Sequence, residues 1–167
     1  MIASVMIVRY QDCNEWQELG KQDRSLRVGA QSLMRRKTLD EPFRVGRSRT
    51  GLGLFATRTI EKGEFIVEYD GPRITNAEVE ERSNTRYLFT VNSRWTIDGS
   101  PRWNRARYAN HSCRPNAEAV QVRGRIHIKA RKRILPGDEI TYNYGKSYFD
   151  TFIAPKGCRC AKCDPVD

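Results

Sequence analysis

Three short segments of this sequence concentrate side chains that donate, accept or ligate. The first runs Arg107-Tyr108-Ala109-Asn110-His111-Ser112-Cys113-Arg114-Pro115-Asn116. It sets an imidazole and a thiol two residues apart among amides and guanidinium groups. Two readings compete. His111 and Cys113 could form a nucleophile pair, or Asn and Pro could shape an irregular loop. No nearby carboxylate is placed to orient the imidazole, which counts against the pair. The second segment places Tyr142 and Tyr144 at i and i+2, on one face of a strand. They could present hydroxyls to a site, or pack as aromatics with wet hydroxyls. The third is Cys158-Arg159-Cys160-Ala161-Lys162-Cys163. This C-x-C-x-x-C spacing is too tight for unstrained mutual disulfides and suits thiolates converging on one metal ion. With Cys13 and Cys113 the chain has 5 cysteines. An odd count, without a secretory leader, argues against a disulfide framework.

A fourth segment, Gly51-Leu52-Gly53-Leu54-Phe55-Ala56, matches the dinucleotide-binding pattern G-x-G-x-x-A. Its context excludes that use. The motif follows the polar, basic stretch Arg44 to Thr50 instead of an apolar strand, and Gly63 arrives before a helix could form. The glycines suit a sharp turn and a close backbone approach.

The elements that must position these residues are short. From Phe43 onward, apolar runs alternate with Gly and Pro punctuation, the texture of a mostly β domain with short helices. Glu64 to Tyr69 reads as a strand ending at Gly71-Pro72. Tyr87 to Val91 and Trp95 to Asp98 read as a hairpin around Asn92 to Arg94. Val120 and Val122, with Ile126 and Ile128 across Arg123-Gly124-Arg125, predict a hairpin with one buried face. Pro136-Gly137 turns the chain before Glu139 to Tyr144. The one good helix runs from Asn76 to about Ser83, with Thr75 and Glu78 forming a capping box. Residues 1–42 differ, with 7 basic and 6 acidic residues and no clean periodicity. They read as an extension with a short strand at Val5 to Tyr10, an interaction arm, or the result of a start at Met6 or Met34.

Taken in order, these segments resemble the SET domain of protein lysine methyltransferases. The resemblance covers Phe43 to Cys163, about three quarters of the chain. Gly51-Leu52-Gly53 resembles the family's first cofactor motif, and Tyr87-Leu88-Phe89 its Y-x-F strand. Arg107 to Asn116 is similar to the R-[FY]-x-N-H-S-C-x-P-N signature, and Gly137 to Gly145 to G-[ED]-E-[IL]-T-x-x-Y-G. The three terminal cysteines resemble the post-SET motif. The domain plan implied is 1–42 extension, 43–150 SET domain and 151–167 zinc-binding tail. The fold implied is a set of small curved sheets with a knot-like crossing of the Asn110-His111 and Tyr144 segments.

The resemblance implies methyl transfer from S-adenosylmethionine to lysine ε-amines, with a histone-like tail as the expected substrate. Tyr144, Tyr142 and Tyr87 are then the catalytic candidates. Gly51, Leu52, Gly53, Tyr87, Arg107, Asn110, His111 and Tyr144 are the cofactor-binding candidates. A tyrosine at Tyr142 implies mono- or dimethylation, because its hydroxyl can hold a water where a bulkier amine needs room. Cys113, Cys158, Cys160 and Cys163 are implied to bind one Zn²⁺. Cys13 is left as a free thiol and His127 as a solvated side chain. Tyr148, Phe149 and Phe152 are expected to close the channel or pack an interface. No cysteine-rich pre-SET region is present in the sequence, so residues 1–42 or a second subunit in a homodimer are expected to brace the domain.

The chain has 167 residues and a net charge of +10, with 22 Arg and 8 Lys. Of the excess, +8 lies between Phe43 and Asp150. It suggests an acidic partner, with a DNA or nucleosome contact expected beside the protein substrate. The peptide groove is then expected to be acidic or apolar, rimmed by Glu68, Asp70 and Asp98. No apolar run approaches the ~20 residues of a spanning helix, and the N-terminus lacks a basic leader region. A cytoplasmic or nuclear chain is expected, or, for a bacterial source, one delivered to a host nucleus. The competing readings are a SET-like module without catalysis and a basic, zinc-containing nucleic-acid binder. No aromatic-basic repeat supports the latter.

Overall fold

The computed structural model describes residues 41–165, so the extension, its strand at Val5 to Tyr10 and Cys13 lie outside the described residues. Ten strands form three small sheets around a main core, with a smaller cluster of Ile74, Val79 and Leu88 beside it. The first sheet has the order β1-β2-β10-β7, from β1 (Phe43–Ser48), β2 (Gly51–Ala56), β10 (Glu139–Tyr142) and β7 (Asn110–His111). The second is β3-β9-β8, from β3 (Phe65–Tyr69), β9 (Arg125–Ala130) and β8 (Ala117–Val122). The third is β4-β6-β5, from β4 (Arg73–Thr75), β6 (Trp95–Asp98) and β5 (Leu88–Thr90). The mostly β expectation is met.

Several elements differ from the sequence reading. Gly51 to Ala56 is a strand, and so is the basic stretch before it. Phe43 is buried and Val45 half-buried, while Arg44 and Arg47 point to solvent, so β1 is an amphipathic edge strand. Arg44 lies over the Phe55 ring at 5.3 Å, which lets an arginine sit in a strand without exposing its apolar stem. Helix α1 (Asn76–Glu80) keeps the capping box between Thr75 and Glu78 but ends three residues early.

The β8–β9 hairpin shows how a turn decides a face. The turn is two residues, Arg123 and Gly124, both at positive φ (48° and 76°). Such a turn matches the strand twist, and it pairs Val122 with Arg125 and Gln121 with Ile126. A three-residue turn would have paired Val122 with Ile126. The one-residue difference places Val120 and Val122 on the face opposite Ile126 and Ile128. Ala117, Ile126, Ile128 and Ala130 make the buried face. On the other face His127 is half-buried and packs edge-on to Phe65 at 5.0 Å, so it is not a solvated side chain.

The helical run after β10 comprises α2 (Lys146–Tyr148), a π-helical turn (Phe149–Ile153) and a 3-10 turn (Ala154–Lys156). It is continuous across residue 150. At the other end Pro42 is buried, and its carbonyl accepts the Thr57 N–H at 2.9 Å, so the packed unit includes the last residue of the extension. Among the described residues, no helix is long and apolar enough to cross a membrane.

Candidate active site

The crossing of two chain segments builds the site. β7 runs parallel to β10, with Thr141 opposite Asn110 and Tyr142 opposite His111. The Ser112 N–H then donates to the Tyr142 carbonyl at 3.0 Å. Two signatures that are about thirty residues apart in sequence thus become neighbouring backbones. Asn116 fastens them further, donating to the Glu139 carbonyl and accepting from the Thr141 N–H, both at 2.8 Å.

This crossing forms one wall of a cavity of about 730 Å³. Tyr87, Arg107, Asn110, His111, Tyr144 and Leu52 line it, so six of the nine catalytic and cofactor-binding candidates meet in one place. The other three lie behind or beside the wall. Gly51 opens β2 at φ 122°. Gly53 is buried beneath the wall, where an added Cβ would stand 2.5 Å from Glu139 Oε1 and 3.2 Å from Asn110 Nδ2. The close approach expected of the glycines is therefore to the protein's own Glu139. Tyr142 is only 2% exposed and stands behind Tyr144, with ring centroids 4.8 Å apart.

The tyrosines are held in one protonation state. The Tyr144 hydroxyl donates to the Ala109 carbonyl at 2.7 Å. Burial, reinforced by neighbouring phenols, pushes the Tyr142 and Tyr144 hydroxyls well above their ordinary range. Tyr144 is a hydrogen-bonded phenol here, not a phenolate. Its ring is packed edge-on by Tyr148 at 4.9 Å and by His111 at 5.4 Å. Tyr148 and Phe152 line the cavity, and Phe149 packs on His111 at 5.4 Å, so the three aromatics flank the site.

Asn110 has one free function. Its amide nitrogen donates to the Leu52 carbonyl at 3.0 Å and to Glu139 Oε1 at 2.7 Å. Both N–H bonds are used, so the side chain offers the cavity only an acceptor, Oδ1. Arg107 stacks over Tyr87 at 4.1 Å and donates Nη1 to the Ser100 carbonyl. Its Nε is buried without a partner. Arg107 and Asn110 line one cavity, and a guanidinium with a side-chain acceptor suits an amino acid carrying a carboxylate and an ammonium.

His111 links the tyrosine to a thiol cluster. Its Nδ1 accepts the Tyr144 N–H at 3.3 Å, which leaves the proton on Nε2. Nε2 faces Cys113 Sγ at 3.4 Å. Burial lowers the imidazole pKa, so the ring is neutral. Cys113, Cys158, Cys160 and Cys163 have their sulfurs within 4.8 Å of one another. Cys113 Sγ lies 3.8 Å from Cys158 Sγ and 3.6 Å from Cys163 Sγ. A tetrahedron of ~2.3 Å Zn–S bonds has edges of ~3.8 Å, so these spacings fit. The thiols' acidities support the same fit. Burial and the neighbouring thiols push Cys113 up to about 12. Burial opposes ionisation of Cys160 too, but N–H groups of Cys113 and Cys163 outweigh it and lower it to about 6. Four converging thiols without a cation share little negative charge; a divalent metal would let all four ionise.

The sequence reading did not single out several residues at the site. Glu139 orients Asn110, and its position inside the Gly137 to Gly145 signature was the available signal. Arg49 grips the tail, donating to the Asp164 carboxylate at 2.9 Å and to its carbonyl at 2.5 Å; nothing in the sequence pairs residues so far apart. Arg86, Arg102, Lys156 and Arg159 also line the cavity. The three expected rim carboxylates are elsewhere. Glu68 and Asp70 line a separate groove of about 560 Å³ with Phe65 and Trp103. Asp98 is buried and ion-paired to Arg82 at 2.5 Å. β3 turns Glu68 away from the cavity because the adjacent Tyr69 occupies the core and donates to the Tyr87 carbonyl at 2.8 Å.

Comparison with known families settles the kinship. Residues 51–145 match the SET domain model. The chain belongs to the SET-domain family. This SET domain is 35% identical over 146 residues to the histone-lysine N-methyltransferase trithorax of Drosophila virilis, spanning 78% of this chain and 4% of that protein. It is 40% identical over 134 residues to the histone-lysine N-methyltransferase set-2 of Caenorhabditis elegans, covering 70% of this chain and 9% of that one. With the histone-lysine N-methyltransferase ASHH3 of Arabidopsis thaliana the figure is 35% over 124 residues, 67% of this chain and 33% of that one. The chain thus spans a third or less of the length of each of these relatives.

Proposed function

We propose that this SET domain is a protein lysine methyltransferase that uses S-adenosylmethionine. The observation that carries the reading is the convergence of Tyr144, Asn110, His111, Arg107 and Tyr87 on one cavity beside an intact Tyr144–Ala109 hydrogen bond. When bound, S-adenosylmethionine would supply a sulfonium methyl group to the amine lone pair, with the carbon–sulfur electrons left on sulfur.

The chain's own residues do the rest. Arg107 would offer its guanidinium to the cofactor's carboxylate and Asn110 Oδ1 an acceptor to its ammonium. A lysine ammonium, pKa ~10.4, has no lone pair and must lose a proton first. Aromatic walls of Tyr87, Tyr148 and Phe152 desolvate the amine and lower that pKa. Tyr144 cannot serve as a phenolate base; its tied hydroxyl orients the reacting groups. Catalysis is then chiefly alignment in a water-poor site.

Cys113, Cys158, Cys160 and Cys163 would hold one Zn²⁺, which supplies a structural cross-link of the tail to the signature loop. A Tyr at 142 supports mono- or dimethylation. Product mass spectrometry tests it: wild type stopping at one or two methyl groups, and Tyr142→Phe adding a further one. Histone is the protein named in the relatives, so histone peptides are the first substrates to assay. The exposed run Arg131-Lys132-Arg133 supports a DNA or nucleosome contact. Self-association draws on Phe65 and Trp103, 47% and 60% exposed, and light scattering tests it. Transfer of labelled methyl from S-adenosylmethionine to protein, lost in Tyr144→Phe, tests the activity. Absence of transfer to histones and to whole-cell protein would overturn the reading.

A further inference from the structure

Tyr144 is held at two points. Its hydroxyl donates to the Ala109 carbonyl at 2.7 Å, and its N–H donates to His111 Nδ1 at 3.3 Å. β10 ends at Tyr142, so the Tyr144 N–H lies beyond the ladder and takes an imidazole as its acceptor. The same ring meets the thiol cluster. Because Nδ1 accepts, the proton of the neutral ring is on Nε2, and Nε2 faces Cys113 Sγ at 3.4 Å. Sulfur is therefore the acceptor in that contact. The imidazole is rigid and packs on Tyr144 and Phe149, each with centroids 5.4 Å away, so a rotation toward one partner leaves the other. A second sulfur also receives an N–H, from Cys113 to Cys160 Sγ at 3.5 Å. A thiol sulfur is a weak acceptor, and a metal-bound thiolate is a stronger, charge-assisted one.

We propose, resting on the zinc and methyltransferase readings above, that the His111 side chain is a positioning residue that couples the four-cysteine metal site to Tyr144. Its Nε2–H donates to the Cys113 thiolate when the cysteines hold a divalent cation. That bond fixes the ring, and the fixed ring presents Nδ1 to the Tyr144 N–H. The tyrosine backbone is thus steadied through one side chain, in addition to the fastening of the tail by the other three cysteines. His111 is then not a ligand of the metal but the outer donor to one of its ligands. The coupling is reciprocal: a change that frees the Tyr144 backbone also weakens metal binding.

The test uses the full chain, nitrogen-labelled at histidine and loaded with a spin-active cadmium isotope in place of zinc. The His111 Nε2 proton should show scalar coupling to cadmium through Cys113 Sγ, a signature that packing alone does not produce. Two substitutions then divide the functions of the ring. An Asn amide stands near the place of Nδ1, and a Gln amide near that of Nε2. His111→Asn keeps an acceptor for the Tyr144 N–H and loses the donor to sulfur. Competition with a chromophoric chelator should find its zinc bound at least about tenfold more weakly, since outer partners of metal ligands typically account for about 10- to 100-fold. His111→Gln keeps the donor and loses the acceptor. Its zinc affinity should stay near that of wild type, while the Tyr144 amide exchanges faster with solvent. Removing zinc from wild type should speed the same amide.

Absence of cadmium coupling at the His111 proton would overturn the proposal. So would wild-type zinc affinity in His111→Asn, or a wild-type chain that binds no metal. Equal loss of zinc affinity and of Tyr144 protection in both variants would assign the ring to packing and overturn it too. If either variant fails to fold, the cadmium coupling in wild type decides. Methyl transfer to histone peptides and whole-cell protein is counted separately. No transfer, with the cadmium coupling and the zinc loss both seen, would remove the methyltransferase reading and uphold the link from His111 to the metal.

Discussion

The hydrogen bond from Asn110 Nδ2 to Glu139 Oε1, 2.7 Å long, gives a prediction whose size follows from geometry. Glu139 and the Leu52 carbonyl take both amide protons, and so aim Asn110 Oδ1 at the cavity. In Glu139→Ala the amide keeps one partner and can flip. A hydrogen bond to a charged group contributes ~1.5–3 kcal/mol, equivalent to roughly 10- to 150-fold in affinity. Titration calorimetry should find S-adenosylmethionine bound at least about tenfold more weakly, and Glu139→Gln, which keeps an acceptor oxygen, should recover most of the loss. Gly53→Ala presses on the same carboxylate, with its Cβ 2.5 Å from Oε1. It should weaken binding in the wild-type background and less in Glu139→Ala, where the nearest clash partner is gone and Ser48 Cβ, 3.0 Å away, remains. The two changes are therefore expected to be strongly non-additive. Cofactor affinity within twofold of wild type in Glu139→Ala, or simple additivity of the two substitutions, would refute the reasoning. A fall in melting temperature without a change in affinity would assign Glu139 to packing alone.

Elemental analysis of protein purified without chelator should give one zinc per chain, and Cys113→Ser should lower both zinc content and melting temperature, because Cys113 joins the tail to the β7 loop. Arg49→Ala removes a pair that is 35% and 50% exposed, so global stability should change by less than about 1 kcal/mol. The cofactor off-rate, measured by stopped flow, should nevertheless rise severalfold, because that pair holds the tail that lines the cavity. Burial would raise the Asp98 carboxyl, but hydrogen bonds from Ser100 and Arg82 win and hold it below its usual 3.8. A depressed folded-state pKa contributes stability above the unfolded value and loses it as pH falls through the folded one. Asp98→Asn should thus be less stable than wild type at neutral pH, with the gap closing in acid-denaturation curves below the unfolded value of 3.8. Tyr144 and Tyr142 stay protonated, so the methylation rate should climb with pH as the amine deprotonates, and Tyr142→Phe should not move that profile.

The ingredients of the site were legible in sequence. A motif such as Arg107 to Asn116 names its polar groups outright, and C-x-C-x-x-C limits what its thiols can do. The period-2 runs that became β3, β5, β6 and β9 were legible too, because alternation of side chains is a local property of a strand. β1 was not, since its arginines hide a half-buried face that only the pairing with β2 and the core explains. The face of Val120 and Val122 depended on a two-residue turn, and composition cannot distinguish that from three. The sequence by itself determined which chemistries were present and how many thiols could converge. Tertiary structure alone decided that Asn110 would offer an acceptor, that Glu68 and Asp70 would face another groove, and that Tyr87 and Arg107 would meet Tyr144 in one cavity. Those are properties of contacts between segments distant in sequence. Their partners are chosen by sheet register and by the parallel crossing of β7 on β10, which no local pattern encodes.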